Sequence, residues 1–370
     1  MKRFIYIVFV VFFISSLQLT VCSVDGGYDI SAETEKKFFS SLDPEIYKKL
    51  EENGLTTLDH NSVFTKGIDG IKNYFSETLS EKIKGSGAWF LTLLSLLMIL
   101  SVVSSAFDFS SYADVFSLFC AIILSVATID KIVLIINCVV SSIALNSKLM
   151  LCFVPVFTLL VSLSGNPASA LTYNSLMLFF CELMSALIEK YFLGVIGVYF
   201  ALSIAFSFNG SINLNRFVNS VNRIVTFALG FLASTFTGFL SLKNIIDYST
   251  DSVSVKGVKF LVSNMIPVIG PSLSDAYSTV LGTIHLMKGS LGAVGIFAVI
   301  IINIPALVEG AVYCFSLSLL SGVAEMLGLS RGAETLRSFS GCVRILLLVS
   351  LFQVFILIVS TGIMLTLKGG

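Results

Sequence analysis

Three glutamates stand out because they lie within or beside long apolar stretches. Glu182 and Glu189 are seven residues apart, so a helix would place both on one face, and Lys190 follows the second. Glu309 and Gln353 lie in later apolar stretches. Carboxylates in such surroundings can bind a cation or relay a proton in a transporter. The alternative is structural: Glu189 and Lys190 would mark a helix end, and Glu182 would hydrogen-bond to a neighbouring helix.

No arrangement typical of catalysis or of metal binding stands out. The sequence has no HExxH, GxSxG, phosphate-binding loop or dinucleotide-binding motif, and its two histidines, His60 and His285, are far apart in sequence. Its seven cysteines form no C-x-x-C pair. We therefore expect no enzyme activity, no cofactor and no bound metal. Any energy source would come from a partner or from an ion gradient.

The composition predicts a membrane protein. Hydrophobic residues make up 55% of the 370 residues, charged residues only 12%, and the mean hydropathy is +0.93. A soluble domain carries about 25% charged residues, so this chain cannot cover its surface with charge. The 23 basic residues balance 23 acidic ones, which removes the electrostatic basis for binding nucleic acid. We expect an all-α polytopic protein whose surroundings are the lipid bilayer.

The first 23 residues have the pattern of a secretory signal. Lys2 and Arg3 precede eleven apolar residues and a more polar stretch, and eleven residues are too few to span a bilayer as a helix. We predict a signal peptide at 1–23, cleaved after Ser23. The alternatives are an uncleaved anchor and a lipoprotein attached at Cys22.

The segment at 24–85 is predicted to be helical and to lie outside the cytoplasm. It holds 20 of the 46 charged residues of the chain. Asp43 and Pro44 are typical of a helix start, and a second helix is predicted from about 61 to 84. Apolar residues recur on that helix at steps of three and four, at Phe64, Ile68, Ile71, Phe75 and Leu79. The stripe would either pack against the shorter helix or dock a partner.

Residues 86–370 are predicted to form a multi-pass membrane domain. The clearest span lies at 88–106. Further apolar stretches lie at 114–129, 132–146, 149–164, 172–189, 191–208, 224–241, 291–307, 310–327 and 345–367. We predict about eight transmembrane helices, within a range of six to ten. Few basic residues lie in the connections, so orientation rests mainly on the cluster Arg331, Arg337 and Arg344, which we assign to the cytoplasm.

Small residues at regular spacing predict close contacts between helices, because they let two backbones approach in lipid. One set recurs every four residues and a second every three, at Gly230, Ser234 and Gly238 and at Gly289, Gly292 and Gly295. Packing is the first interpretation of both sets. The alternative is that these faces line a pore.

Residues 260–290 are predicted to form a broken amphipathic or re-entrant element. Pro267 and Gly270 interrupt a helix, and Ser272 begins a new one with Asp275 as the acidic member of a capping box. In a membrane protein such an element lies at the interface or is buried against protein or a water-filled cavity. We therefore take it as a candidate gating element.

Around this element the sequence resembles the stage III sporulation protein AE family of endospore-forming Firmicutes. The family pattern is met at Lys259, Phe260, Ser263, Asn264, Ile266, Pro267, Val268, Gly270, Leu273, Ser274, Asp275, Ala276, Thr279, Val280, Leu281, Gly282, Gly292 and Gly295. Pro271 stands where the family pattern has glycine. The candidate gating residues from this motif are Ser263, Asn264, Pro267, Gly270, Ser274, Asp275 and Gly282.

The resemblance implies a membrane component of the channel between mother cell and forespore, the stage III sporulation A complex, needed for forespore development after engulfment. It implies a place in the mother-cell membrane that surrounds the forespore. The implied partners are the other stage III sporulation A proteins, one of which resembles a secretion ATPase, and the forespore protein Q. The family is also described as permease-like. The alternative is therefore an ion-coupled permease that moves a small solute with its intramembrane carboxylates.

Overall fold

The computed structural model describes residues 30–58, 60–106, 113–187, 197, 220, 223–242 and 270–366, and these residues form helices and turns with no strand. The helices are α1 Ile30–Ser41, α2 Pro44–Glu52, α3 His60–Ala106, α4 Ala113–Leu163, α5 Pro167–Leu187, α6 Arg223–Leu242, α7 Gly270–Met326 and α8 Ser330–Leu365. The predicted all-α class is confirmed. The predicted signal peptide lies outside the described residues.

Five of these helices are long and apolar enough to cross a membrane, namely α3, α4, α6, α7 and α8. The prediction of about eight spans is not reproduced in the described residues, because several apolar stretches merge. The stretches at 114–129, 132–146 and 149–164 all belong to α4. Asp130 and Lys131 separate the first two in sequence, but both residues fit a helix and do not end it.

The merged helices are longer than a bilayer is thick. At about 1.5 Å per residue, the 57 residues of α7 extend roughly 85 Å, whereas the hydrocarbon core is about 30 Å thick. The 51 residues of α4 and the 47 of α3 exceed it as well. Each of these helices is therefore longer than one perpendicular crossing of the hydrocarbon core requires.

Helix α7 occupies the centre of the bundle. In its most apolar stretch 78% of the residues are buried, compared with 22% in α3 and 6% in α6. It packs against α8, α3 and α4. Helix α3 runs parallel to α7, since the ring of Phe64 lies 6.1 Å from that of Phe297, and that of Trp89 lies 5.1 Å from that of Tyr313. This parallel packing brings the charged half of α3 alongside α7.

Helices α4 and α8 both run antiparallel to α7. On α4, Ser142 contacts the carbonyl of Ile302, whereas Phe153, further along, lies against Gly295. On α8, Ser340 contacts Cys314, Ser350 contacts Asn303, and Leu365 lies against Gly292. Because both are antiparallel to the same helix, α4 and α8 run in the same direction.

The segment that precedes α3 packs onto the bundle through α4 and α7. As predicted, α2 begins at Pro44, and the Asp43 side chain accepts a hydrogen bond from the backbone N–H of Glu45 at 3.0 Å. Asp43 also pairs with Lys148 of α4 at 2.9 Å. Nearby, the rings of Phe38 and Phe153 meet edge to face at 6.3 Å. The segment thus shares the core of the bundle.

Helix α3 continues through Gly85 and Gly87, where the sequence predicted an end near 84. Glycine in a helix interior costs about 1 kcal/mol, and the apolar residues that follow carry the helix on. The predicted boundary at 85 therefore falls inside one helix. That the segment 24–85 lies outside the cytoplasm stays a prediction.

The apolar stripe of α3 divides between two faces. Phe64 and Ile71 are partly buried against the core. Ile68 and Phe75 point outward, with 54% and 46% of their surface exposed. Both alternatives raised by the sequence therefore have residues in support of them: one side packs, and the other is open.

The ion pair between Asp43 and Lys148 predicts a small acid sensitivity. The Lys148 ammonium and the Glu45 N–H lower the pKa of Asp43 from its ordinary value of 3.8. A lowered pKa contributes stability at higher pH that is lost as the pH falls through the folded-state value. Asp43→Asn keeps the helix cap and removes the charge. We expect its thermal stability to be lower than wild type at pH 6, with the difference shrinking as the pH falls below 3.8 and vanishing below the lowered pKa of folded Asp43. A difference that persists at the lowest pH would contradict this origin.

The predicted packing glycines have different surroundings. A methyl group at Gly295 would collide with the ring of Phe153, and one at Gly292 with Leu365. In contrast, Gly230 and Gly238 have open space there within the described chain, and Ser234 is exposed. Gly289 is half-buried.

This contrast predicts opposite effects of alanine. Gly295→Ala is expected to lower the stability of the purified protein by about 1–3 kcal/mol, because it overpacks the contact between α4 and α7. Gly238→Ala is its matched control and should leave stability unchanged or slightly raised, since alanine favours a helix. Denaturant unfolding in detergent measures both, and equal effects would contradict the contacts described.

Candidate functional site

A row of polar side chains crosses the apolar interior of the bundle, and we call it the polar seam. Helix α4 contributes three residues at steps of four, which places them on one face. Helices α7 and α8 contribute two residues each, and α3 contributes one. The polar seam consists of Cys138, Ser142, Asn146, Glu309, Asn303, Ser350, Gln353 and Lys82.

An ion pair forms one end of the polar seam. The ammonium group of Lys82 lies 3.0 Å from a carboxylate oxygen of Glu309. The Glu309 side chain is only 6% exposed, whereas that of Lys82 is 30% exposed. The Cys138 thiol lies near the same carboxylate. Burial of a carboxylate is costly without a counter-charge, and the ammonium group of Lys82 supplies that charge to Glu309. The Lys82 side chain itself stays partly exposed to solvent.

Aromatic side chains pack next to this ion pair. Tyr313 lies one turn beyond Glu309 on α7, and the ring of Trp89 meets it edge to face at 5.1 Å. The indole N–H of Trp89 donates to the carbonyl of Ala127 at 3.2 Å. These contacts tie α3, α4 and α7 together beside the charges.

The middle of the polar seam joins α4, α7 and α8. Asn303 donates from its side-chain nitrogen to the carbonyl of Val299 one turn earlier, at 2.7 Å. The Ser350 hydroxyl donates to the side-chain oxygen of Asn303 at 3.5 Å, and the Ser142 hydroxyl to the carbonyl of Ile302 at 3.4 Å. The last two distances are longer than a good O–H···O bond, so these hydroxyls are held only loosely.

Two buried amides form the other end of the polar seam. Asn146 and Gln353 are 0% and 1% exposed. Within the described structure, both polar atoms of the Asn146 side chain and the side-chain oxygen of Gln353 have no hydrogen-bond partner. Such groups cost about 1–3 kcal/mol each when left unpaired. Their presence in an apolar core therefore calls for an explanation.

Of the three glutamates named from the sequence, the structure describes Glu182 and Glu309. Glu309 is buried in the polar seam. Glu182 lies on α5 with its side chain exposed. Glu189 lies outside the described residues. Of the two described carboxylates, Glu309 is the one for which the structure provides a polar interior setting.

The candidate gating motif is described only in part. Ser263, Asn264 and Pro267 lie outside the described residues. Helix α7 begins at Gly270, with Ser274 and Asp275 in its first turns. Gly282 is exposed. From Pro271 onward the predicted element continues into the long apolar part of α7 without a break, since no turn interrupts the helix and the next proline is Pro305.

Sequence reasoning missed Lys82, Asn146 and Asn303 as members of one site. In the sequence, Lys82 is one of many charged residues in the polar half of α3. A usable signal did exist on α4, because Cys138, Ser142 and Asn146 recur every four residues in an apolar stretch. In the described residues no three His, Cys, Asp or Glu side chains are grouped so that they could hold a metal ion.

Comparison with known proteins assigns the chain to a family. The family profile described as "Stage III sporulation protein AE" matches residues 48–367. The stage III sporulation protein AE of Bacillus subtilis (strain 168) is 24% identical over 239 residues, which is 64% of this chain and 60% of that relative. The alignment thus spans less than two thirds of the relative's length. No solved structure matches the chain. Because the family match includes nearly all of the bundle, the chain belongs to the stage III sporulation protein AE family.

Proposed function

We propose that this chain is a non-enzymatic, integral membrane component of the channel between mother cell and forespore, the stage III sporulation A complex. It would be required for forespore development after engulfment. The observation that carries the proposal is the family match over residues 48–367, which supports a role in sporulation. The apolar helices long enough to span a bilayer support a place in a membrane.

The proposed location is the mother-cell membrane that surrounds the forespore. The proposed partners are the other stage III sporulation A proteins and the forespore protein Q. Exposed apolar side chains on the charged half of α3 support a docking role for that face, since Ile68, Phe75 and Ile83 are each about half exposed. Exposed apolar patches bordered by polar residues mark sites of contact with proteins or membranes.

Deletion of the gene tests the proposal. The deletion strain should complete engulfment and then fail to form heat-resistant spores, and a wild-type copy at another locus should restore them. Microscopy of engulfed forespores places the block, and plating after heating counts the spores. Normal numbers of heat-resistant spores from the deletion strain would overturn the proposal.

A second candidate is an ion-coupled permease for a small solute. The buried Glu309 within the polar seam favours it, because a carboxylate inside a membrane bundle is the usual site of a coupling ion. Glu182, exposed on α5, gives this candidate no support. Uptake of a solute into liposomes by the purified protein alone, lost in Glu309→Gln, would favour the permease. No uptake by the wild-type protein alone would favour the channel component.

A further inference from the structure

We propose that Asn146 and Gln353 bind water inside the helical bundle, which makes this end of the polar seam a hydrated site. The proposal concerns the interior of the isolated chain, so it does not depend on the proposed role in a channel. It starts from the two amides whose buried polar atoms have no partner among the described residues.

The two amides lie at the same level of the bundle. Ser142, Asn303 and Ser350 form one layer, because Asn303 contacts Ser350 and its neighbour Ile302 contacts Ser142. From this layer Asn146 lies four residues along α4 and Gln353 three residues along α8. At about 1.5 Å per residue these steps are roughly 6 and 4.5 Å, in the same direction because the two helices run the same way.

Both amides also occupy the middle of a buried face. On α4, Val139 and Phe153 lie seven residues before and after Asn146, and both are buried. On α8, Leu346 and Ser360 have the same relation to Gln353 and are buried as well. Residues seven apart share a helix face. The side chains of Asn146 and Gln353 therefore both lie on buried faces, and the two helices that carry them, α4 and α8, pack against each other.

The unpaired atoms specify the chemistry of the ligand. Asn146 offers a donor and an acceptor, and Gln353 offers an acceptor. A cation would satisfy the two oxygens and leave the Asn146 nitrogen unpaired. Water donates and accepts at once, and a buried water typically makes about three hydrogen bonds to groups that are otherwise unsatisfied. Water therefore fits this donor set best.

The adjoining layer gives independent support. The hydroxyls of Ser142 and Ser350 reach their acceptors only at 3.4 and 3.5 Å. The oxygen of each hydroxyl can also accept a second, shorter hydrogen bond from water. Together the two amides and two hydroxyls provide a polar lining from which water would extend along the polar seam towards Glu309.

Glutamine labelling gives a direct measurement. The chain has two glutamines, Gln18 and Gln353, so Gln18→Ala leaves one glutamine signal in protein labelled with 15N at the glutamine side chain. With the protein in lipid vesicles, magnetisation transfer from water to that amide is followed by solid-state NMR. We expect clear transfer to Gln353 despite its burial. Absence of transfer would show a dry interior and overturn the proposal.

Two variants on α4 test whether Asn146 shares the water. Asn146→Leu keeps the branched shape of the side chain and removes the polar partner, so Gln353 should lose most of its transfer from water. Asn137→Leu is the matched control, because Asn137 is exposed on the same helix, and transfer should be unchanged. Full transfer in Asn146→Leu would overturn the shared site. If that variant fails to fold, the wild-type transfer still decides whether Gln353 is hydrated.

Discussion

Lys82→Met is expected to destabilise the bundle by about 3 kcal/mol, near the lower limit for breaking a buried ion pair. The variant leaves the Glu309 carboxylate, 6% exposed, without its counter-charge. Glu309→Gln should cost less, about 1 kcal/mol, because the remaining Lys82 is 30% exposed and can turn its ammonium group towards water. Denaturant unfolding of the purified protein in detergent measures both changes.

Two controls separate this ion pair from a general effect of charge. Lys84→Met removes an exposed charge two residues further along α3 and should change stability by less than about 0.5 kcal/mol. The double variant Lys82→Met with Glu309→Gln should recover most of the loss, because no buried charge remains. Equal losses for the two single variants, or no recovery in the double variant, would contradict the asymmetric burial described.

Phe153→Ala is expected to cost about 3–5 kcal/mol, the range for removing a buried aromatic ring. Phe153 is completely buried and stacks on Phe157 with the ring centres 5.0 Å apart. It also fills the space beside Gly295 on α7 and meets Phe38 of α1 edge to face. The variant should therefore weaken two contacts of α4 at once.

Limited proteolysis adds a second measurement for this variant. Loss of the contact with Phe38 should release α1 and expose its peptide bonds to a protease before the rest of the chain unfolds. Phe315→Ala serves as the control, since Phe315 on α7 is 66% exposed, and it should leave both stability and proteolysis nearly unchanged. If Phe153→Ala is no more sensitive than Phe315→Ala, the docking of α1 through Phe153 is wrong.

The general architecture could be predicted from the sequence because it depends on local and compositional signals. The low charge and high hydropathy predicted a helical membrane protein, and Asp43-Pro44 predicted the start of α2. The merging of apolar stretches was missed because charged pairs such as Asp130 and Lys131 resemble a connection between spans. Inside a long helix they are simply exposed or half-buried positions.

The candidate site could be predicted only in part because its partners come from distant parts of the chain. Glu309 was recognised from its apolar neighbours, but nothing in the sequence near Lys82 indicates that α3 packs parallel to α7. The hydrogen-bonding of Asn303 and the burial of Asn146 likewise depend on how three helices face one another. Such relations follow from tertiary packing, which periodicity alone does not specify.

The central claim is that the helical bundle crosses the membrane, with the segment before α3 outside the cytoplasm and the turn between α7 and α8 inside it. The parallel packing of α3 and α7 separates the two regions along the bundle, because the segment precedes the start of α3 and the turn follows the end of α7. Labelling with a membrane-impermeant thiol reagent tests it, in vegetative protoplasts that produce a variant without native cysteines. Two exposed positions, Ser40 and Ser330, are replaced one at a time by cysteine. We predict that the cysteine of Ser40→Cys reacts in intact protoplasts and that of Ser330→Cys only after permeabilisation. Labelling of both from the same side would contradict the account.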